Sequence, residues 1–364
     1  MGTRRVMMLS TDLEKGGLPL RLATLARRLR AADLEPIVGC LARRGPLSAE
    51  LEAAGIETFS CDAAGGFDAS CLARLARQVR RLRPDLIHSA LFHANLAARM
   101  VGQLDRDRPI VTSTVTIEIE RRWHRLLESL TIERSDLHVA NSRAVAKHLR
   151  EDLGFPPRRV TVIPNGLDIA AIDAAAPARR GELGVDEQVP LIVWAGRLDP
   201  VKNLETFVRV IERVRAQRDV RALVLGDGPA RPAIERLAAD LRLQRVVQFF
   251  GWSENVVGCL KSADVLLFPS WTEGSPNVVL EAMASRCPVV ASAVPGCAEL
   301  IDTGRTGLLC PAADVACFAR AVIGLLEDRS AAQRLAAAAR DQVVRRHEIG
   351  AVVRVWREAY ERLV

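Results

Sequence analysis

The sequence predicts an α/β protein built as two doubly wound domains, each a parallel sheet covered by helices. Three observations carry that prediction. Short apolar runs alternate with stretches of helical periodicity along most of the chain, the pattern of βα units rather than of hairpins. The chain has 364 residues, enough for two domains of ordinary size, and 49% of them are hydrophobic, enough for two cores. A Pro164-Asn165-Gly166 turn falls near the middle, where one alternating series ends and the next begins.

In residues 1–167, strands are expected over 6–9, 36–39, 56–59, 85–88, 110–113, 137–140 and 160–163. Helices are expected near 18–31, 45–54, 69–83, 93–103, 120–134 and 142–153. The first strand leads into Lys15-Gly16-Gly17 and a helix. Two glycines there let backbone N–H groups approach a ligand, although a plain βα turn would read the same. The string is not Gly-x-Gly-x-x-Gly, so a dinucleotide site has little support. His93 and Asn95 follow the fourth strand, on the rim where parallel sheets bind ligands. His93 serves either a ligand or the helix end, and Asn95 reads as a cap. The fifth strand exits through Thr114-Val115-Thr116. Arg121, Arg122, Trp123, His124 and Arg125 open the next helix, and Asn141-Ser142 reads as the cap of the one after.

An Ala-rich linker over 169–187, with Pro177, leads into the second domain. Its first strand ends at Gly196, and Arg197, Lys202 and Asn203 precede a helix. Arg197 offers a rigid fork for phosphate and Lys202 a flexible point charge. Lysine is scarce: Lys202 is one of four, beside 47 arginines. Further strands end at the Gly226-Asp227-Gly228 turn and at Gly251-Trp252, and others are expected at 264–269, 288–292 and 306–309. Helices are expected near 313–327 and 330–345. A final helix over 347–363 places Val352, Val353, Trp356 and Tyr360 on one face.

The most informative stretch is Glu273-Gly274-Ser275-Pro276-Asn277-Val278-Val279-Leu280-Glu281. A buried strand precedes it and a helix is expected from about 277 to 285. N–H groups at that helix start can hold a phosphate. Ionised carboxylates only accept hydrogen bonds, so two of them beside an anion site suit a hydroxyl-rich ligand. A phosphate flanked by hydroxyls on both sides describes a nucleotide-sugar. Two surface glutamates on an ordinary βα unit would share this spacing but not the whole string. Continued through Ala282-Met283-Ala284, the string resembles the Glu-x7-Glu motif of the family-4 retaining glycosyltransferases, which have the GT-B fold.

The resemblance spans nearly the whole chain. It implies an acceptor-binding domain at 1–167, a donor-binding domain at 168–346, and a helix over 347–364 that packs back on the first domain, with a cleft between the sheets. It implies that Gly16 and Gly17 face the donor diphosphate and that Arg197 and Lys202, after Gly196, bind it. Gly274, Ser275, Pro276, Asn277 and Val278 would bind the donor through their main chain, and Gly251 and Trp252 would meet the base. Glu281 would accept from the ribose hydroxyls and Glu273 would orient the donor sugar. The catalytic set is then Arg197, Lys202 and Glu273. Many relatives carry a histidine where Thr116 stands; here Thr116 could offer a hydroxyl in its place, or His93 or His124 could come near the sugar or the acceptor.

The donor expected is a UDP- or GDP-sugar. The acceptor expected is a glycan, lipid-linked, in surface polysaccharide or glycoconjugate assembly. No cofactor and no metal are expected, because the one Asp-x-Asp, Asp105-Arg106-Asp107, precedes a strand. Two rivals share the fold: a sugar-nucleotide 2-epimerase and a catalytically silent relative that binds nucleotide-sugars. The four charged residues Arg197, Lys202, Glu273 and Glu281 argue against the silent one.

The net charge is +7, and residues 1–167 hold the whole excess, with 26 Lys and Arg against 19 Asp and Glu. No aromatic interleaving supports nucleic acid as a partner. An anionic membrane surface fits, and so does a plain solvated face, for the helix carrying Arg74, Arg77, Arg80, Arg81 and Arg83. No apolar run approaches the roughly 20 residues of a membrane span, and the run at 6–9 is too short for a signal peptide. The expected place is the cytoplasm, with peripheral contact at the inner face of the membrane. Eight scattered cysteines form no Cys-x-x-Cys pair and read as small buried thiols in a reducing compartment.

Overall fold

The structure, a computed structural model, describes residues 4–65, 68–102, 108–117 and 122–364. It divides into two compact units: residues up to Gly166 together with Gly350–Val364, and Leu167–Ile349.

The first unit alternates strand and helix: β1 (Arg4–Ser10), α1 (Gly17–Arg30), β2 (Leu34–Cys40), α2 (Pro46–Ala53), β3 (Glu57–Ser60), α3 (Ala69–Leu82), β4 (Leu86–Ala90), α4 (Phe92–Gly102), β5 (Ile110–Thr114), α5 (Arg122–Thr131), β6 (Leu137–Ala140), α6 (Arg143–Glu151) and β7 (Val160–Val162). The strands form a seven-stranded sheet in the order β3-β2-β1-β4-β5-β6-β7, parallel throughout. Strand β1 is apolar on both faces because helices cover both, and Met7, Met8 and Leu9 are fully buried. In α3, Cys71, Leu75, Val79 and Leu82 face the core while Asp68 caps the first turn. Two of its arginines are used within the fold: Arg74 bonds Asp68 and Arg81 bonds Glu57. Ser142 caps α6 as expected, its hydroxyl accepting from Val145 N at 3.1 Å.

The second unit contains α7 (Ile169–Ala174), β8 (Leu191–Ala195), α8 (Leu204–Arg215), β9 (Arg221–Leu225), α9 (Arg231–Asp240), β10 (Val247–Gly251), α10 (Val256–Ser262), β11 (Val265–Phe268), α11 (Asn277–Ala284), β12 (Val289–Ser292), α12 (Pro295–Leu300), β13 (Leu308–Cys310), α13 (Val315–Glu327) and α14 (Arg329–His347). Its six-stranded sheet, order β10-β9-β8-β11-β12-β13, is also parallel. The last helix, α15 (Ile349–Glu361), belongs almost wholly to the first unit. Its Tyr360 hydroxyl bonds His88 Nδ1 of β4 at 2.7 Å, and its Trp356 stacks on the same imidazole at 4.6 Å.

Three sequence expectations need correction. The stretch 169–187 is not all linker: Asp168 accepts from Ala171 N and so nucleates α7. Asn95 is no cap. It is buried inside α4, donating to Ser113 O at 3.0 Å and accepting from Ser89 Oγ at 2.9 Å, so it ties the α4 helix to β4 and β5. Not every cysteine is a free thiol: Cys310 and Cys317 are joined as a disulfide, and the other six are buried. Their Cα atoms lie 5.8 Å apart because the first turn of α13 folds back over the end of β13, a proximity that sequence spacing does not reveal.

Candidate functional site

The candidate residues of the second unit lie at the carboxyl ends of its strands. Gly196 N donates to Leu225 O and Gly226 N to Gly251 O, which laces the ends of β8, β9 and β10 together. Gly226 takes φ 123°, and a side chain there would run into Gly196 O, so only glycine allows this approach. After Gly196 the chain makes one short 3₁₀ turn over Pro200–Lys202. Asp199 caps its start and Asn203, in the left-handed conformation, ends it. That turn aims Lys202 inward while Arg197 stays 73% exposed, 4.0 Å from Asp199.

Lys202 Nζ donates to Glu273 Oε1 at 2.7 Å, and lies 5.8 Å from the Phe268 ring centre. Glu273 is buried, on the loop after β11. The loop is held to the Lys202 turn by its main chain, since Trp271 N and Ser270 Oγ both donate to Val201 O. Gly296 closes it from below: a side chain at this position in α12 would strike Glu273 O and Gly274. Next to it, burial pushes the Cys297 thiol far up, with the negative charge of Glu273 adding to the effect, so it stays protonated.

Helix α11 begins at Asn277 after Pro276, which has no side chain to cap it. The N–H groups of its first turn, Asn277 and Val278 among them, have no acceptor within the helix. They sit at its positive end, beside the buried Gly274 and Ser275. Asn277 Oδ1 is buried without a hydrogen-bond partner among the described residues. Glu281 lies one turn further along, half-buried. Trp252 and Trp271, after β10 and β11, are 51% and 50% exposed. The arrangement offers cations, free N–H groups, carboxylate acceptors and aromatic faces together, which suits a phosphorylated, hydroxylated ligand.

In the first unit, Gly16 precedes α1 in an extended conformation at φ −140°, and Gly17 is the first helical residue. A side chain at Gly16 would meet only Pro19 Cδ, at 3.7 Å, so the fold itself does not require glycine there. His93 lies in a ring cluster at the start of α4 and α5: Phe92 stacks on His124 at 4.0 Å, and His93 meets His124 edge-on at 5.8 Å. Leu91, at φ 75°, makes the tight turn that presents this cluster, a strained feature with no sequence signal. Thr116 is exposed beyond β5. Asp105, Asp107 and Arg121 lie outside the described residues, as does the side chain of Arg122.

The sequence points to Arg197, Lys202, Glu273 and Glu281 as candidates but not to the residues packed around them. Nothing in the sequence marks Gly296, Cys297 or Trp271 as supports of this loop. Sequence spacing does not reveal the contact between Lys202 and Glu273, 71 residues apart.

Comparison with known proteins follows the same division. The family model described as Glycosyltransferase Family 4 matches residues 15–171, and that described as Glycosyl transferases group 1 matches 189–328. The D-inositol 3-phosphate glycosyltransferase of Nocardia farcinica is 29% identical, over 91% of this chain and 78% of its own. The glycogen synthase of Mycobacterium tuberculosis is 30% identical, over 72% of this chain and 65% of its own. Among solved structures, Anabaena Alr3699/HepE in complex with UDP-glucose aligns with a TM-score of 0.86 at 22% identity, covering 99% of this chain and 100% of that one. With a family model on each half and the two parallel sheets of the GT-B fold, the chain belongs to the family-4 glycosyltransferases.

Proposed function

We propose that the protein transfers a sugar from a UDP- or GDP-sugar to a hydroxyl of a glycan acceptor with retention of anomeric configuration. The observation that carries this reading is the Lys202–Glu273 pair, held beside the open first turn of α11. The departing diphosphate develops negative charge. Arg197, Lys202 and the N–H groups near Ser275 to Val278 stabilise that charge as it forms, which is where catalytic leverage is greatest. These groups supply enough positive charge that the reading calls for no metal. Glu273 accepts from donor-sugar hydroxyls and orients the ring, and Glu281 accepts from the ribose. The leaving phosphate takes the acceptor's proton. Buried and already paired, Glu273 is better suited to binding than to nucleophilic attack.

Among donors the reading takes UDP first, because HepE, which shares the fold, was solved with UDP-glucose. It takes the first unit as the acceptor side, with His93 and Thr116 as contacts, and a lipid-linked glycan in polysaccharide or glycoconjugate assembly as the acceptor. A second reading has a small anionic acceptor. The positive excess of residues 1–167 favours it, and the Nocardia relative is named for an inositol phosphate.

Thermal melting with a panel of nucleotides and nucleotide-sugars, in the presence of a chelator, tests the donor assignment. A ligand that binds the fold raises its melting temperature by mass action. A shift with UDP- or GDP-sugars that survives chelation supports the reading, and no shift with any of them removes it. Product from a donor without acceptor, as its epimer, would point to the 2-epimerase.

A further inference from the structure

Helix α5 leaves part of its apolar face outside. At about 100° per residue, Trp123, Leu126 and Leu130 share one face, and Glu128 and Thr131 fall on another. An ordinary surface helix buries the first set. This one buries Glu128 and Thr131 and leaves Leu126 and Leu130 exposed, with Trp123 and Leu127 half-buried between the two sides. Glu128, 5% exposed, accepts from Arg99 Nη1 at 2.5 Å, and Thr131 Oγ1 accepts from the same nitrogen at 3.3 Å. Arg99, on α4, is 1% exposed and also donates to Ser135 Oγ and Thr112 Oγ1. A buried guanidinium must be paired, and Glu128 is the carboxylate that pairs it. The pair fixes the rotation of α5 about its axis, and that rotation turns Leu126 and Leu130 outward, 59% and 66% exposed.

The outward face is small. Two leucines and the edge of Trp123 fall well short of the roughly 800 Å² per partner that a stable protein interface buries. They do suit shallow insertion at a membrane surface, where an amphipathic helix needs one side chain's depth and nearby cations. Arg125 supplies such a cation: it is exposed beside the leucines, with one nitrogen on Asp152 O. The half of the chain that carries α5 also holds the entire positive excess. Attraction of this kind works on anionic lipid.

We propose that α5 docks the protein on an anionic bilayer, with Leu126 and Leu130 entering the acyl boundary and Arg125 meeting headgroup phosphates. The purpose of the docking, delivery of a lipid-linked acceptor, rests on the function proposed above; the docking itself rests on the helix.

The test is flotation of the full chain with vesicles of phosphatidylcholine alone or with phosphatidylglycerol added, at low and high salt. The Leu126→Gln/Leu130→Gln variant changes only exposed positions, so its melting temperature and its shift with UDP should match the wild type. Docking through α5 predicts binding to the anionic vesicles that salt weakens, at least a tenfold loss in the double variant, and a smaller loss in Arg125→Glu. No binding to anionic vesicles, or equal binding by the double variant, overturns it. So does a concentration-dependent dimer that the double variant abolishes, because a second copy would then cover this face. Failure of the donor assignment would appear separately, as vesicle binding with no nucleotide shift.

Discussion

Lys202 Nζ lies 2.7 Å from Glu273 Oε1, across 71 residues of sequence. The two side chains were expected to serve different parts of a donor, the cation its diphosphate and the carboxylate its sugar. Their contact makes each the other's positioning partner. Glu273 is held at one point by the ammonium, and Lys202, over the Phe268 ring, keeps its remaining N–H groups for a phosphate.

The pair should therefore show coupling in both stability and turnover. Lys202→Met leaves a buried carboxylate without its hydrogen-bond donor and is expected to cost about 1–3 kcal/mol. Adding Glu273→Gln should restore part of that, because no charge is then stranded. Turnover should fall by about 10²-fold or more in every member of the cycle. Denaturant midpoints and initial rates on the four proteins check this, and strictly additive stability losses would mean the contact holds nothing in place.

Two glycines should separate folding from binding. A methyl group at Gly296 meets backbone on the Glu273 loop, which cannot step aside cheaply. Gly296→Ala is expected to cost about 1–3 kcal/mol and to weaken nucleotide binding at least tenfold. A methyl group at Gly16 meets almost nothing, and the backbone there is extended. Gly16→Ala should stay within about 1 kcal/mol of wild type while turnover drops, if that position is kept open for a donor. Equal rates in Gly16→Ala and wild type would remove Gly16 from the site.

Much of this was legible from the chain because its information is local. Runs such as Val6-Met7-Met8-Leu9 and Leu191-Ile192-Val193-Trp194 are apolar without alternation, which reads as strands covered on both faces. The Glu273 to Glu281 string holds its loop and helix start in nine consecutive residues. What stayed hidden depends on contacts across the sequence. Asn95 looks like a cap until Ser113 is seen beside it. The rotation of α5 is set by Arg99, 29 residues before Glu128, and periodicity alone predicts Leu126 and Leu130 inward.

Two buried histidines make stability depend on pH. Burial pushes His88 down to about 3, and it pushes His138 down to about 3 with the cations of Arg99 and Arg159 adding to the effect. Both are neutral in the fold, whereas each would titrate near 6.5 when unfolded. Stability is therefore complete above about pH 6.5 and is lost as the pH falls from there toward 3. At pH 5.5 each histidine should cost about 1.4 kcal/mol, a loss visible before most carboxylates titrate. Urea midpoints at pH 7.5 and 5.5 measure it. His88→Gln should remove about half of the slope, and a flat profile in the wild type would contradict the burial argument.

The anchor of the last helix depends on the same imidazole. His88 has both nitrogens engaged, with Ser113 Oγ at 2.7 Å on one side and Tyr360 OH at 2.7 Å on the other. Tyr360→Phe removes one partner without changing the ring, and strands a buried nitrogen and its lone pair or proton. The expected cost is about 1–2 kcal/mol. Trp356→Ala removes the stacked ring as well as a large buried surface, and should cost about 3 kcal/mol or more. Because α15 packs within the first unit, the loss should appear there. Hydrogen exchange should rise in β4 and β5 of either variant, while β8 and β11 keep their protection. Equal loosening of both sheets would show that α15 stabilises the whole chain rather than the unit it closes.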